Sequence, residues 1–330
     1  MRTFALLCAI ALPGALPAAD CLPWQQGAKP AGFEAEEKAR EYLRNSVRDH
    51  RSDARLHAQL GQMLFAGQCY ELALSELLRA RALGANTPEF LLKLAATENI
   101  LGAFADSAGD ADALSQISHA PQEQASAAAL AAVAFEAMGE LDAAIIRFRR
   151  SLELEPRSES SALRLGKLLE RQTLHEEAAA VLEKLVASRP SSAEGWAQLA
   201  SVQAARRDVK RALVCWTRVK RLQQDYPMVD SMIAQAMLAQ ENPDPKEVLS
   251  VLKRAEAKAP DDADNFYLEG KTLAALGRYV DAASSFETAV RLRPGESSFY
   301  YQLGLTYQKL GRADLAQKQF ETLKQLRTQP

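Results

Sequence analysis

Small and apolar residues return along this chain at a fixed step. Gly270 and Gly304 stand 34 positions apart, as do Ala282 and Ala316, and Phe286 and Phe320. Ala-Leu-Gly-Arg-Tyr at 275–279 has a near echo in Lys-Leu-Gly-Arg-Ala at 309–313. Further back lie Leu165-Gly166 with Ala178, Leu182 and Pro190, then Leu199, Ala212 and Trp216. Ala144, Phe148 and Pro156 precede these, and Leu60-Gly61, Tyr70, Ala73 and Ala80 lie near the start. Such a step predicts a helix-turn-helix unit repeated in tandem. Gly270, Ala282 and Ala289 let two antiparallel helices approach, while Phe286 and Tyr279 fill the space beside them. Leu276-Gly277 ends the first helix, with Gly taking the left-handed C-terminal position. Pro294 stops the second, because it lacks an N–H. Each pair leaves one apolar face open for the next unit to bury.

With Trp196, Leu303-Gly304, Tyr307, Ala316, Phe320, Ala289 and Pro294 at its aromatic, Leu-Gly, small and Pro places, the chain resembles the tetratricopeptide repeat family. Units are read at 54–87, 88–124, 125–158, 159–192, 193–226, 229–262, 263–296 and 297–330. The resemblance implies an all-α solenoid that winds as a right-handed superhelix. It also implies a concave groove, lined by the first helices, that holds a protein or an extended peptide. Register then places Gln62, Arg164, Lys167, Arg171, Gln198, Tyr267, Lys271, Tyr301 and Gln302 on that lining. Tyr267 and Tyr301 share one position in consecutive repeats. They either stack along the groove beside Lys271 or pack between adjacent helices. The family's clamp for a terminal carboxylate is not expected, because Ala58, Gln62, Ser126 and Leu130 stand at its positions and no Asn appears there.

Two units depart from the pattern. In 88–124 the second helix fits only after a three-residue shift, which assigns the extra residues to the turn Ala103–Gly109. In 229–262 the Leu-Gly pair is missing, and Pro227 and Met228 are inserted ahead of it. Asn242-Pro-Asp-Pro245 makes its turn, with Asp244 as N-cap before Pro245. Phe33 to Asp49 is amphipathic, so 33–53 reads as a half repeat capping one end. Phe320, Leu323 and Leu326 close the last unit with no polar helix after them. That face is either tolerated as it is or a surface for self-association.

Residues 1–19 carry one Arg, an apolar run from Phe4 to Leu12, and Ala18-Ala19 before Asp20. This is the layout of a secretory signal, cut after Ala18 or Ala19, and it is too short for a membrane span. Export to the periplasm or the secreted space is the expectation, with 20–32 an irregular arm. A lipid anchor at Cys21 is not expected, since Asp20 stands where a small residue is required. Cys21, Cys69 and Cys215 then remain, and two of three can pair in an oxidising compartment. Cys21 and Cys69 lie in irregular or turn segments, whereas Cys215 falls mid-helix. A Cys21–Cys69 bridge is the pairing expected.

The 40 basic and 42 acidic side chains give a net charge of −2. No bulk field therefore directs the chain to nucleic acid or to an acidic membrane. One run stands out: Arg206, Arg207, Lys210, Arg211, Arg218, Lys220 and Arg221 against Asp208 alone. It reads as a solvated outer face or as a site for an acidic partner. Trp196 and Trp216 fall on repeat packing positions.

Candidate chemistry is thin. Gly270-Lys271-Thr272 resembles the end of a phosphate loop, but Asn265 replaces its first Gly and the triplet lies within a helix. His175-Glu176-Glu177 opens like a zinc-protease helix, yet Ala179 replaces the second His. His50, His57 and His119 lack metal-ligand spacing. No catalytic residue, cofactor or metal is assigned. The expectation is a non-enzymatic scaffold for a protein or peptide partner, with no nucleic acid and no membrane span. Its alternatives are a self-assembling component or a ligand-binding module or enzyme without a recognisable motif.

Overall fold

The computed structural model describes Glu41 and residues 45–328, and the regular structure among them is helical. The helices run in antiparallel pairs. The first pairs are α1 (Ala54–Ala66) with α2 (Tyr70–Ala82), α3 (Pro88–Leu101) with α4 (Phe104–Ile117), and α5 (Pro121–Met138) with α6 (Leu141–Leu154); α7 (Glu159–Arg171) and α8 (His175–Ser188) follow them in the chain. The next four are α9 (Ala193–Ala205) with α10 (Val209–Leu222), α11 (Val229–Leu238) with α12 (Pro245–Lys258), α13 (Ala263–Ala275) with α14 (Tyr279–Leu292), and α15 (Ser297–Lys309) with α16 (Ala313–Thr328). Two compact units divide the chain, one ending at Leu168 and one beginning at Leu169.

The small positions of the repeat act as read from the sequence. A Cβ built on Gly270 would stand 2.6 Å from Phe286 Cε1, and one on Gly304 would stand 2.6 Å from Phe320 Cε1. In the first unit the same contact is Gly61 against Leu77, at 2.7 Å. Carbon atoms at rest stay about 3.5–4.0 Å apart, so an added Cβ would force the ring or the isobutyl group across the pair to shift. Around these contacts the first unit buries Leu77, Phe90, Leu94 and Leu114, and the second buries Leu273, Phe286, Leu303 and Tyr307.

One turn closes seven of the pairs. Gly102, Gly139, Gly277 and Gly311 take positive φ at its centre, and so do Gln68, Thr173 and Arg207 at the same repeat position. The next residue then donates its N–H five places back, as in Ala103 to Glu98 O at 2.8 Å and Leu174 to Leu169 O at 2.9 Å. This is the closure of a left-handed C-terminal cap. Thr173, at φ 59, is β-branched and strained there. Thr173→Gly is expected to raise stability by about 1 kcal/mol, the cost of a left-handed residue less glycine's added unfolded-state entropy. A urea midpoint that does not rise would remove the strain argument.

The two aberrant units resolve differently. The turn after α3 is short, and α4 begins at Phe104, with Gly109 inside the helix. The extra residues lie instead at the start of α5, which is 18 residues long. Ser118 holds that start by accepting from Ala120 N at 3.2 Å and donating to Glu123, and Pro121 occupies the first turn. The expected turn Ala103–Gly109 is thereby corrected. An added stretch of Ala-rich helix leaves fewer backbone groups unpaired than an added stretch of loop. In the other unit, Asp244 accepts from Lys246 N at 2.9 Å ahead of Pro245, as expected. Met228 enters α11 at φ 56, and α11 is only 10 residues long.

Residues 45–49 are helical, and Val47 packs on Leu60, Leu64, Cys69 and Ala73. The rest of the proposed half repeat, the arm and residues 1–19 lie largely outside the described residues. Cys69 is buried and disulfide-bonded, whereas Cys215 is free. Cys21, its expected partner, lies outside the described residues. Burial foremost pushes the Cys215 thiol up to about 11, which suits an inert core position.

Candidate functional site

The first helices carry the expected lining residues, and each compact unit is described by itself. In the first unit Gln62 on α1 is partly exposed and Lys167 on α7 is exposed. Arg164 is engaged, its Nη1 lying 2.7 Å from Glu136 Oε2. That pair leaves the guanidinium less free for a ligand than register alone suggests. His57, fully packed beneath this face, sets Nδ1 2.6 Å from Glu76 Oε2 and is a structural residue.

In the second unit Arg171 is exposed at the end of α7, and Gln198 Nε2 reaches Glu194 Oε1 at 3.4 Å. Tyr267 and Lys271 are brought together, with Nζ 5.6 Å from the ring centroid. The ring itself packs between helices. Its centroid lies 4.9 Å from that of Phe299 and 5.9 Å from that of Phe286. Burial foremost raises the Tyr267 hydroxyl above the ordinary tyrosine value. Tyr301, in the same register one repeat on, is 45% exposed, and its ring lies 6.4 Å from Phe320. No ring contact joins the two tyrosines among the described residues. The equivalence of register therefore splits: Phe299 covers Tyr267, while among the described residues the ring contact of Tyr301 is with Phe320. Gln302 beside it is partly buried, and Lys271 is exposed. Leu323 is buried and Leu326 partly buried on the last helix.

Two buried charged clusters serve structure. Glu98 and Asp110, 2% and 1% exposed, meet across α3 and α4, and Arg81 binds Asp110 in a bidentate pair. Burial and then the Asp110 charge push Glu98 up to about 8. Neither carboxyl has access to a substrate. Asp230, also 2% exposed, gathers Lys220, Lys258 at 3.1 Å and Arg254 at 3.6 Å. Among the described residues no group of three or more His, Cys, Asp and Glu could hold a metal ion, and no helix is long and apolar enough to cross a membrane.

One feature escaped the sequence reading. Trp196 occupies a packing position, yet it is only partly buried, whereas Trp216 is buried as expected. Its Nε1 donates to Pro190 O at 3.1 Å, and its ring lines open depressions beside the basic helix α10. The signal available was Val214, an apolar residue set within the basic run.

Two family models described as tetratricopeptide repeat match the chain, one over 129–193, 163–216 and 233–297 and the other over 297–329. Together they cover more than half of it. The chain belongs to the tetratricopeptide repeat family. Among solved structures, this tetratricopeptide repeat protein is similar to the C-terminal part of a TPR repeat-containing protein from Cytophaga hutchinsonii. The TM-score is 0.62 at 16% identity, covering 74% of this chain and 99% of that one. A tetratricopeptide repeat protein from Parabacteroides merdae gives a TM-score of 0.50 at 14% identity, covering 78% and 99%. YrrB, described as a TPR protein with an unusual peptide-binding site, gives 0.46 at 21% identity, covering 54% and 91%. These likenesses concern the fold alone. No curated protein matches the chain in sequence. The family fold makes it a protein- or peptide-binding module.

Proposed function

We propose that this tetratricopeptide repeat protein is a non-enzymatic scaffold of the cell envelope or secreted space, holding a protein or extended peptide along its first-helix face. The observation that carries the reading is Tyr301. It is a large ring left 45% exposed on a first helix, while the equivalent Tyr267 is packed with Lys271 over it. An exposed tyrosine offers a partner apolar area and a hydroxyl together. The envelope or secreted setting rests on residues 1–19 as a secretory signal, which lie outside the described residues.

The test is cross-linking capture from an envelope extract with wild type beside Tyr301→Ala and Lys271→Ala. Both side chains are exposed or nearly so, and both variants are expected to fold. A partner held by wild type and lost by the variants, by about tenfold or more as for an interface anchor, supports the reading. Identical captured sets would overturn it. Self-association through the last repeat is the second reading of the same exposed ring. It would appear as the chain capturing itself, with a mass that rises with concentration and falls back in Tyr301→Ala.

A further inference from the structure

We propose that the outer face of α10 is a second docking surface, and that its occupant is an acidic peptide segment of a partner protein carrying one bulky apolar side chain. The surface lies within the second compact unit. Val186, Ala187, Pro190, Trp196, Leu199 and Val214 wall an open depression of about 560 Å³ between α8, α9 and α10. A second depression of about 520 Å³ lies on the other side of the Trp196–Val214 pair, bounded by Leu213, Thr217, Arg218 and Arg221. Val214, 66% exposed, forms the ridge between them. The bond from Trp196 Nε1 to Pro190 O fixes the indole as a wall, so the apolar surface is formed before a partner arrives.

The charges around it point to the occupant. Positions 210, 214, 218 and 221 follow one face of α10, with Arg207 in the turn just before it, and the stretch from Lys210 to Arg221 extends about 16 Å. Three cations of the run are committed elsewhere. Lys220 binds buried Asp230, Arg206 binds Glu176 at 2.5 Å, and Arg211 lies 3.4 Å from Asp208 and 3.6 Å from Glu183. Arg207, Lys210, Arg218 and Arg221 have no carboxylate partner among the described residues. Arg218 instead donates to Pro190 O at 3.5 Å, beside the Trp196 contact. The acids that face the surface are few. Glu183 is met by Arg211 and by Gln203 Nε2 at 3.3 Å, and Glu194 accepts from the Tyr226 hydroxyl at 2.8 Å. An apolar seat flanked by unneutralised cations is complementary to an apolar side chain flanked by Asp or Glu.

The geometry favours a peptide over a membrane. Membrane binding by an amphipathic surface needs apolar side chains that project and insert, whereas here the apolar area lines depressions and only Val214 projects. Nucleic acid is disfavoured as well, because the single ring is a fixed wall and no run of exposed aromatics offers bases a stacking platform. This surface centres on a second helix and shares no residue with the first-helix candidates, so either reading can fail without the other.

The experiment is selection from a random peptide library on the immobilised full chain, with the Val214→Glu chain as counter-bait. Val214 is exposed, so that variant is expected to keep the wild-type far-UV circular dichroism. Val214→Ser serves as a charge-neutral second variant. The proposal expects enriched sequences with Asp or Glu on both sides of one Phe, Leu or Trp. A labelled peptide of that kind is expected to lose about tenfold in affinity on Val214→Glu or Arg218→Glu, and about threefold on Val214→Ser. It is also expected to weaken with added salt and to bind Tyr301→Ala as it binds wild type. No enrichment over the counter-bait overturns the proposal, as does enrichment without acidic and apolar bias or equal binding to Val214→Ser. Phosphatidylglycerol vesicles that bind wild type, depend on Val214 and displace the peptide would overturn it in favour of a lipid surface.

Discussion

Gly270→Ala is expected to destabilise the chain by a net of about 2–3 kcal/mol, although alanine is the better helix former by about 1 kcal/mol. The added Cβ would stand 2.6, 2.7 and 2.9 Å from three ring atoms of Phe286, which is 0% exposed and locked among Leu273, Leu303 and Tyr307. Neither the ring nor α14 can withdraw without opening that core. Gly304→Ala presents nearly the same contact to Phe320. Phe320 is only partly buried on α16 and can give way, so its cost is expected to be about 1 kcal/mol or less. Urea unfolding followed by circular dichroism compares the two, and amide exchange should show the loss concentrated in α13 and α14. Phe286→Leu in the Gly270→Ala background is expected to cost less than the two single changes summed, by about 1 kcal/mol. Strict additivity would mean that the close approach is not what requires glycine.

Asp230→Ala is expected to cost about 3 kcal/mol, the lower end for breaking a buried ion pair. The reason is in its partners. Lys220 is 29% exposed and reaches the carboxylate deep under α11, while Arg254 and Lys258, 49% and 47% exposed, can return to water once the acid is gone. Burial alone would raise the Asp230 carboxyl, but hydrogen bonds from Lys220 and Lys258 hold it below the ordinary aspartate value. A folded-state pKa below the unfolded one contributes stability that is present above the unfolded pKa. That stability is lost as pH falls through the folded pKa. Wild type is therefore expected to lose stability on acidification below about pH 4 more steeply than Asp230→Ala. Equal slopes for the two would show that the cluster is not what ties the short α11 to α12.

The repeat was legible because its determinants are local. A glycine facing a ring across a pair, a glycine ending a first helix and a proline ending a second recur at fixed distances in one chain, and no distant contact is needed to place them. The left-handed turn shows the limit of reading by residue type. Gly277 and Gly311 announce it, whereas Gln68, Thr173 and Arg207 adopt the same backbone without the glycine that signals it. The misplaced turn in 88–124 has a similar origin. Spacing shows that three residues are extra, but a loop or a longer helix absorbs them equally well on paper, and the capping by Ser118 decides for α5.

The site was legible only as a set of register positions. Arg164 sits on the expected face but is engaged by Glu136, and Tyr267 is covered by a ring from the next repeat. Neither Glu136 nor Phe299 is near its partner in sequence, so nothing local could have excluded these residues as free contacts. The basic run was visible as charge, but not the division between cations already paired and those left unpaired.

By itself the sequence determined the helix pairs, their repeat spacing and the close packing inside each, because these depend on residues within one turn or one unit of each other. Only the tertiary structure decided which equivalent positions stay open. Tyr267 and Tyr301 share one register position, three residues ahead of Gly270 and Gly304, yet Tyr267 is packed because Phe299 from the adjoining repeat lies against its ring.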